Sequence, residues 1–154
     1  MAADLAAMMN PACIELELEG KRKPDIIREL VDIVSRCEDR IDRDGLYDSL
    51  MRREGISTTG IGDGIAIPHC MTAQVDSTRI AFGRKLDGAR FDAVDNKPVS
   101  LFFLLVGPEG NPTRHLQVLS KLARYLHDPI FCQKLLDADS AGKVVEAFRS
   151  KDRL

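Results

Sequence analysis

The residues best placed to do chemistry lie in Thr58-Thr59-Gly60-Ile61-Gly62-Asp63-Gly64-Ile65-Ala66-Ile67-Pro68-His69, a glycine-rich loop running into a short apolar strand that presents a histidine. Gly60, Gly62 and Gly64 admit backbone dihedrals that other residues resist, so successive amide N–H groups, with that of Thr59, can converge into an anion-binding nest. Pro68 fixes its own φ, lacks a donor and biases Ile67 toward extended backbone, which predicts a strand that stops where His69 emerges. A histidine beside a phosphate-sized nest either takes a phosphoryl group or helps bind one, and the loop alone leaves this open. No Gly-Lys-Ser/Thr follows, so this is not a P-loop, and Gly-x-Gly-x-Gly lacks the dinucleotide spacing. The blander alternative is a strand-end histidine that only hydrogen-bonds the backbone.

Two further groups have the chemistry to assist such a site. Arg52-Arg53-Glu54-Gly55 closes a helix just before the loop and places two guanidiniums beside it. The planar, permanently charged fork of arginine suits a phosphate, and the alternative is a solvated helix-end residue complementing the dipole. His115 falls in the first turn of a later helix, where the positive helix end disfavours imidazolium and favours a neutral N–H donor or weak proton partner. Spacing alone favours a solvent-facing residue there. His127 reads as a helix-end surface residue. A metal hydrolase using His69, His115 and an aspartate lacks any recognised ligand spacing.

Arg53-Glu54, the Thr-Gly-Ile-Gly-x-Gly-Ile-Ala-Ile-Pro-His run and His115-Leu116-x-x-Leu119-x-x-Leu122-Ala123 together resemble the phosphotransferase-system (PTS) enzyme IIA domains, type 2, of the fructose, mannitol and nitrogen-regulatory group. The resemblance spans residues 12–150, with residues 1–11 read as a flexible N-terminus. It implies a transferase component phosphorylated on His69 as a tele-phosphohistidine, with His115 and Arg53 as catalytic partners and the loop of Thr59, Gly60, Gly62 and Gly64 holding phosphate. The phosphoryl donor it implies is a phosphohistidine carrier protein, HPr- or NPr-like. In sugar-transport members the group passes onward to a IIB cysteine, and in nitrogen-regulatory members the phosphorylation state is read by regulatory proteins. No cofactor, nucleotide or metal takes part. The chain resembles the stand-alone nitrogen-regulatory members because it shows one domain and no membrane segment; the sugar-specific branch and a phosphorylation-independent binding module are the alternatives. Departures are Ser57 and Thr58, where members often carry glycine and serine, and Cys70, where glycine is usual.

The elements that must position these groups read as α/β. Cys13–Glu19 alternates, with Ile14, Leu16 and Leu18 on the core side of a strand. Pro24 opens a helix over 24–38 with Ile27, Leu30, Val31, Val34 and Cys37 inward. A second helix carries Leu46, Leu50 and Met51. Thr78–Arg84 is a strand, a loop spans Asp87-Gly88 and Asp95-Asn96-Lys97-Pro98, and Val99–Val106 is apolar enough to be buried on both faces, which calls for helices on both sides of a mixed sheet. Thr113 caps a helix bearing Leu116, Leu119, Leu122, Ala123 and Leu126; Asp128-Pro129 starts another with Phe131, Leu135 and Leu136; Ser140 caps a last one with Val144, Val145 and Phe148.

At 154 residues the chain fits one domain, and 44% hydrophobic with 30% charged residues is ordinary globular usage. Its 22 basic and 24 acidic side chains leave a net charge of -2, without the basic footprint of a nucleic-acid binder. Lys21-Arg22-Lys23 reads as a solvated loop. The four cysteines, Cys13, Cys37, Cys70 and Cys132, form no Cys-x-x-Cys pair and read as reduced thiols. Met1–Met9 is apolar but too short to span a bilayer and lacks a basic leader, so a cytoplasmic protein with no membrane insertion is expected.

Overall fold

The computed structural model describes residues 4–154. Its strands are β1 (Ile14–Glu15), β2 (Gly60–Gly62), β3 (Ile65–Ala66), β4 (His69–Thr72), β5 (Arg79–Ala89) and β6 (Val99–Pro108). The helices are α1 (Lys23–Ser35), α2 (Arg43–Ile56), α3 (Pro112–Leu126), α4 (Pro129–Asp137) and α5 (Ala141–Asp152), preceded by two short 3-10 turns. One mixed sheet runs β1-β5-β6-β3-β2, and β4 also pairs with β6. The antiparallel β5–β6 pair is its spine, with Phe82 opposite Phe103.

The period of two along β6 decides which helices cover which face. Leu101, Phe103 and Leu105 point into one cluster with Val118, Leu122, Leu135, Val144 and Phe148 of α3–α5. Phe102, Leu104 and Val106 point into the other, with Ile27, Leu30, Val34, Leu46 and Leu50 of α1 and α2. The expected helices on both faces of a mixed sheet are therefore present, and each buried large apolar side chain contributes about 1.5–3 kcal/mol.

Several expectations change in detail. The first strand is short: Leu18 is buried, but regular pairing covers only Ile14 and Glu15, after which Leu18 N–H donates to the Arg84 carbonyl from an irregular segment. Residues 1–11 were expected to be flexible, yet Leu5 and Met9 are buried in the α3–α5 cluster, and Ala6 N–H is tied to the Asp152 carboxylate of α5. That expectation for Met1–Ala3 lies outside the described residues. Asn111, and not Thr113, caps α3, its side chain accepting from Arg114 N–H. The buried stripe of α3 is His115, Val118, Leu122, Tyr125 and Leu126, leaving Leu116 and Ala123 exposed. Cys13 and Cys37 form a disulfide across a Cα separation of 6.4 Å, so only Cys70 and Cys132 are free thiols. Sequence spacing hides this pair, because α1 must fold back before its end meets the turn before β1.

Candidate active site

The glycine-rich stretch folds as a β-hairpin. β2 and β3 pair antiparallel, and Asp63 and Gly64 turn the corner in the left-handed region, at φ 56° and 78°. Two successive positive φ values match the turn whose twist suits a two-residue hairpin. Several amides of this stretch are engaged within the fold: Thr59 N–H donates to the Glu54 carboxylate, Gly60 N–H to Thr58 Oγ1, and Asp63 N–H to the Asp95 carboxylate. Of the four residues expected to hold phosphate, Thr59 and Gly60 thus have their amides engaged within the fold. Their backbone builds the hairpin that leads to His69.

Beyond the hairpin, β3 and β4 lie along the same edge of β6 and both run parallel to it. Ile67 and Pro68 interrupt them, yet the Pro68 carbonyl still accepts from Leu105 N–H, so the edge continues and the strand resumes at His69. The expected stop is thus a break of two residues. Proline lacks the N–H that would donate to β6, so one ladder bond is missing at this point while its carbonyl keeps the other.

His69 sits half-buried at the head of β4, opposite Leu105. Its Nδ1 lies 2.7 Å from the Ile67 carbonyl oxygen. A carbonyl only accepts, so Nδ1 carries the proton and Nε2 keeps a free lone pair. Across from it, the His115 ring centroid is 6.0 Å away at an interplanar angle of 44°. His115 is buried and its Nδ1 has no hydrogen-bond partner among the described residues. A Cβ added to Gly107 would come within 2.6 Å of that atom, so the absent side chain at Gly107 makes the space the ring occupies. Burial first, and the neighbouring His69 second, hold the His115 pKa below the ordinary histidine value.

Arg53 lies in the last turn of α2, which packs beside β4, and its Nη1 donates to the Ser57 carbonyl at 3.0 Å. His69 and His115 are therefore neighbours, whereas Arg53 lies at the end of the helix that packs beside β4. His127 is exposed at the end of α3. Cys70, next to His69, has its thiol pushed up to about 12 by burial, so it stays protonated and is not a nucleophile at neutral pH. Among the described residues no group of three or more His, Cys, Asp or Glu side chains is arranged to hold a metal ion.

Sequence reasoning passed over Lys23, Glu54 and Gly107. Lys23 is not solvated: its Nζ lies 3.1 Å from Glu54 Oε1, with side-chain exposures of 12% and 2%. The motif pairing of Arg53 with Glu54 was the available signal for the carboxylate. Nothing in the sequence marks Gly107, whose role depends on where α3 crosses β6.

A family model described as "Phosphoenolpyruvate-dependent sugar phosphotransferase system, EIIA 2" matches residues 7–151. This chain belongs to that family. It is 39% identical, over 92% of both chains, to a PTS system fructose-specific EIIA component of Haloferax volcanii. It is 34% identical to the fructose-specific EIIABC component of Bacillus subtilis over 97% of its own length, but spans only 24% of that relative. The crystal structure of Nitrogen Regulatory Protein IIA-Ntr from Neisseria meningitidis superposes with a TM-score of 0.87 at 32% identity, covering 95% of this chain and 99% of that one. EIIA domains are phosphotransfer components, and no helix among the described residues is long and apolar enough to cross a membrane.

Proposed function

We propose that this protein is a phosphoryl carrier in which His69 Nε2 accepts a phosphoryl group from the phosphohistidine of an HPr- or NPr-like carrier protein. The observation that carries the reading is the Nδ1–Ile67 hydrogen bond, which leaves Nε2 unprotonated on a half-exposed ring. In the transfer an Nε2–P bond forms, the donor P–N bond breaks, and its electron pair returns to the donor imidazole. Little base catalysis is needed, because the Nδ1–H tautomer already presents an unprotonated Nε2 to the phosphorus. The main requirement is to stabilise charge on the outer oxygens of the phosphoryl group. His115, held neutral, donates from Nε2, since its Nδ1 faces Gly107 without a partner. Arg53 supplies the permanent cation after exchanging its Ser57 contact for the phosphate. Such a carrier meets its soluble donor in the cytoplasm.

The downstream role we favour is nitrogen-regulatory, in which the phosphorylation state admits or excludes a regulatory partner; the overlay on IIA-Ntr over nearly both whole chains supports it. A second reading, transfer to the cysteine of a sugar-specific IIB domain, is favoured by the fructose-specific EIIA relative, which matches over 92% of both chains, so single-domain length does not separate the branches. Incubation with phosphoenolpyruvate and the two general phosphotransferase proteins, followed by mass spectrometry, tests the carrier step. An acid-labile, base-stable adduct absent from His69→Ala is expected; phosphohistidine persisting in that variant refutes the assignment. Presenting the phosphorylated protein to fructose and mannitol IIB domains separates the branches, since rapid phosphate loss to a IIB cysteine excludes the regulatory role.

A further inference from the structure

Glu54 is buried, as is Thr59, and both carboxylate oxygens are engaged by that one residue: Thr59 N–H donates to Oε1 at 3.0 Å and Thr59 Oγ1 donates to Oε2. Thr59 in turn offers its carbonyl to Ile67 N–H at 3.0 Å, and the Ile67 carbonyl accepts from His69 Nδ1. Lys23 closes the other side. It pairs with Glu54, lies 3.4 Å from Thr58 Oγ1 and sits 4.9 Å over the Phe91 ring, while Thr58 Oγ1 also accepts from Gly60 N–H. The start of α1 is thus locked, together with the end of α2 and the hairpin that follows it, to the acceptor of the His69 proton.

A buried ion pair is a poor source of stability compared with apolar side chains of the same volume, and what it supplies here is direction. Both oxygens of one rigid carboxylate define where Thr59 stands, Thr59 defines Ile67, and the Ile67 carbonyl defines the tautomer and plane of His69. The same carboxylate follows Arg53 on α2, so it also sets the helix end from which that guanidinium reaches. The geometry assigns Glu54, clasped by Lys23, as a positioning residue that acts through Thr59 and Ile67 to hold His69 in its Nδ1–H form. The assignment rests on the carrier reading for its kinetic consequence but not for its tautomer consequence.

The test uses ring-¹⁵N-labelled full-length protein with three substitutions. Lys23→Met combined with Glu54→Gln removes the clasp without leaving a buried charge unpaired. Thr59→Val keeps the N–H bond and the shape but deletes the hydroxyl donor. Arg28→Ala removes the exposed Arg28–Asp44 pair between the same two helices and serves as control. In the wild type and the control, His69 should show one tautomer, with Nδ1 protonated. In the double variant and Thr59→Val both nitrogens should move toward the averaged values of mixed tautomers. Phosphoryl acceptance at saturating carrier should fall about tenfold or more, as for outer partners of ligating histidines, while the half-saturating carrier concentration changes by less than about twofold. Cooperatively folded variants with wild-type ring shifts and rates overturn the assignment. If the wild type takes no phosphoryl group on His69, the carrier reading fails, and the ring shifts still decide the positioning role.

Discussion

Phosphorylating His69 should change the proton affinity of His115 more than any substitution around it. The rings are 6.0 Å apart, and in the unmodified protein burial and the neighbouring imidazole both disfavour imidazolium at His115. A phosphoryl group brings between one and two negative charges at neutral pH. At an effective dielectric of about 20, one unit charge at this separation is worth about 3 kcal/mol, or about a hundredfold in proton affinity. Protonation also buries an unpaired Nδ1–H against Gly107, at a cost of about 1–3 kcal/mol, but this is present in both states and cancels from the difference. His115 should therefore titrate below the ordinary histidine range before phosphorylation and well above that position afterwards, with proton uptake accompanying transfer at mildly acidic pH. Carbon-bound ring proton shifts followed against pH, with and without the phosphoryl group, measure this directly. A change in proton affinity below about threefold would mean the phosphate is screened from His115, and the pairing of the two rings in the transfer step would be refuted.

Arg53→Lys should slow phosphoryl acceptance by losing the planar fork, with a stability change under about 0.5 kcal/mol at this partly exposed helix end; a wild-type rate removes Arg53 from the site. Because the folded-state pKa of His115 is depressed, the unfolded chain binds the extra proton first. The resulting stability is intact above about pH 6.5 and is lost as pH falls through the folded pKa, so urea midpoints of His115→Gln should show a shallower acid decline than wild type. Buried Arg84 donates to the carbonyls of Leu16, Leu135, Leu136 and Ala138, and Arg84→Met should cost about 3 kcal/mol or more by orphaning the carbonyls that end α4, read from urea unfolding.

Much of the site was legible because its logic is local. The order Ile67-Pro68-His69 marks the end of one strand and a presented histidine, since the proline ring acts on its immediate neighbours whatever surrounds them, whereas the resumption of pairing at His69 is set by β6. The apolar run 99–106 determines a strand covered on both sides, and Asp128-Pro129 and Ser140 mark helix starts through their own side chains. What the sequence left open depends on partners far along the chain. The glycine loop has the composition of an anion nest, but Glu54 takes the Thr59 amide and Asp95 that of Asp63, and which donors stay free is set by tertiary neighbours. Lys23 looks solvated in a basic triplet until α2 brings a carboxylate to it. The placement of His115 opposite His69 requires α3 to cross β6 at Gly107, a position with no local signature. Backbone preference and hydrophobic period are properties of a few adjacent residues, whereas pairing of buried polar groups is a property of the packed molecule, and only the tertiary structure decides it.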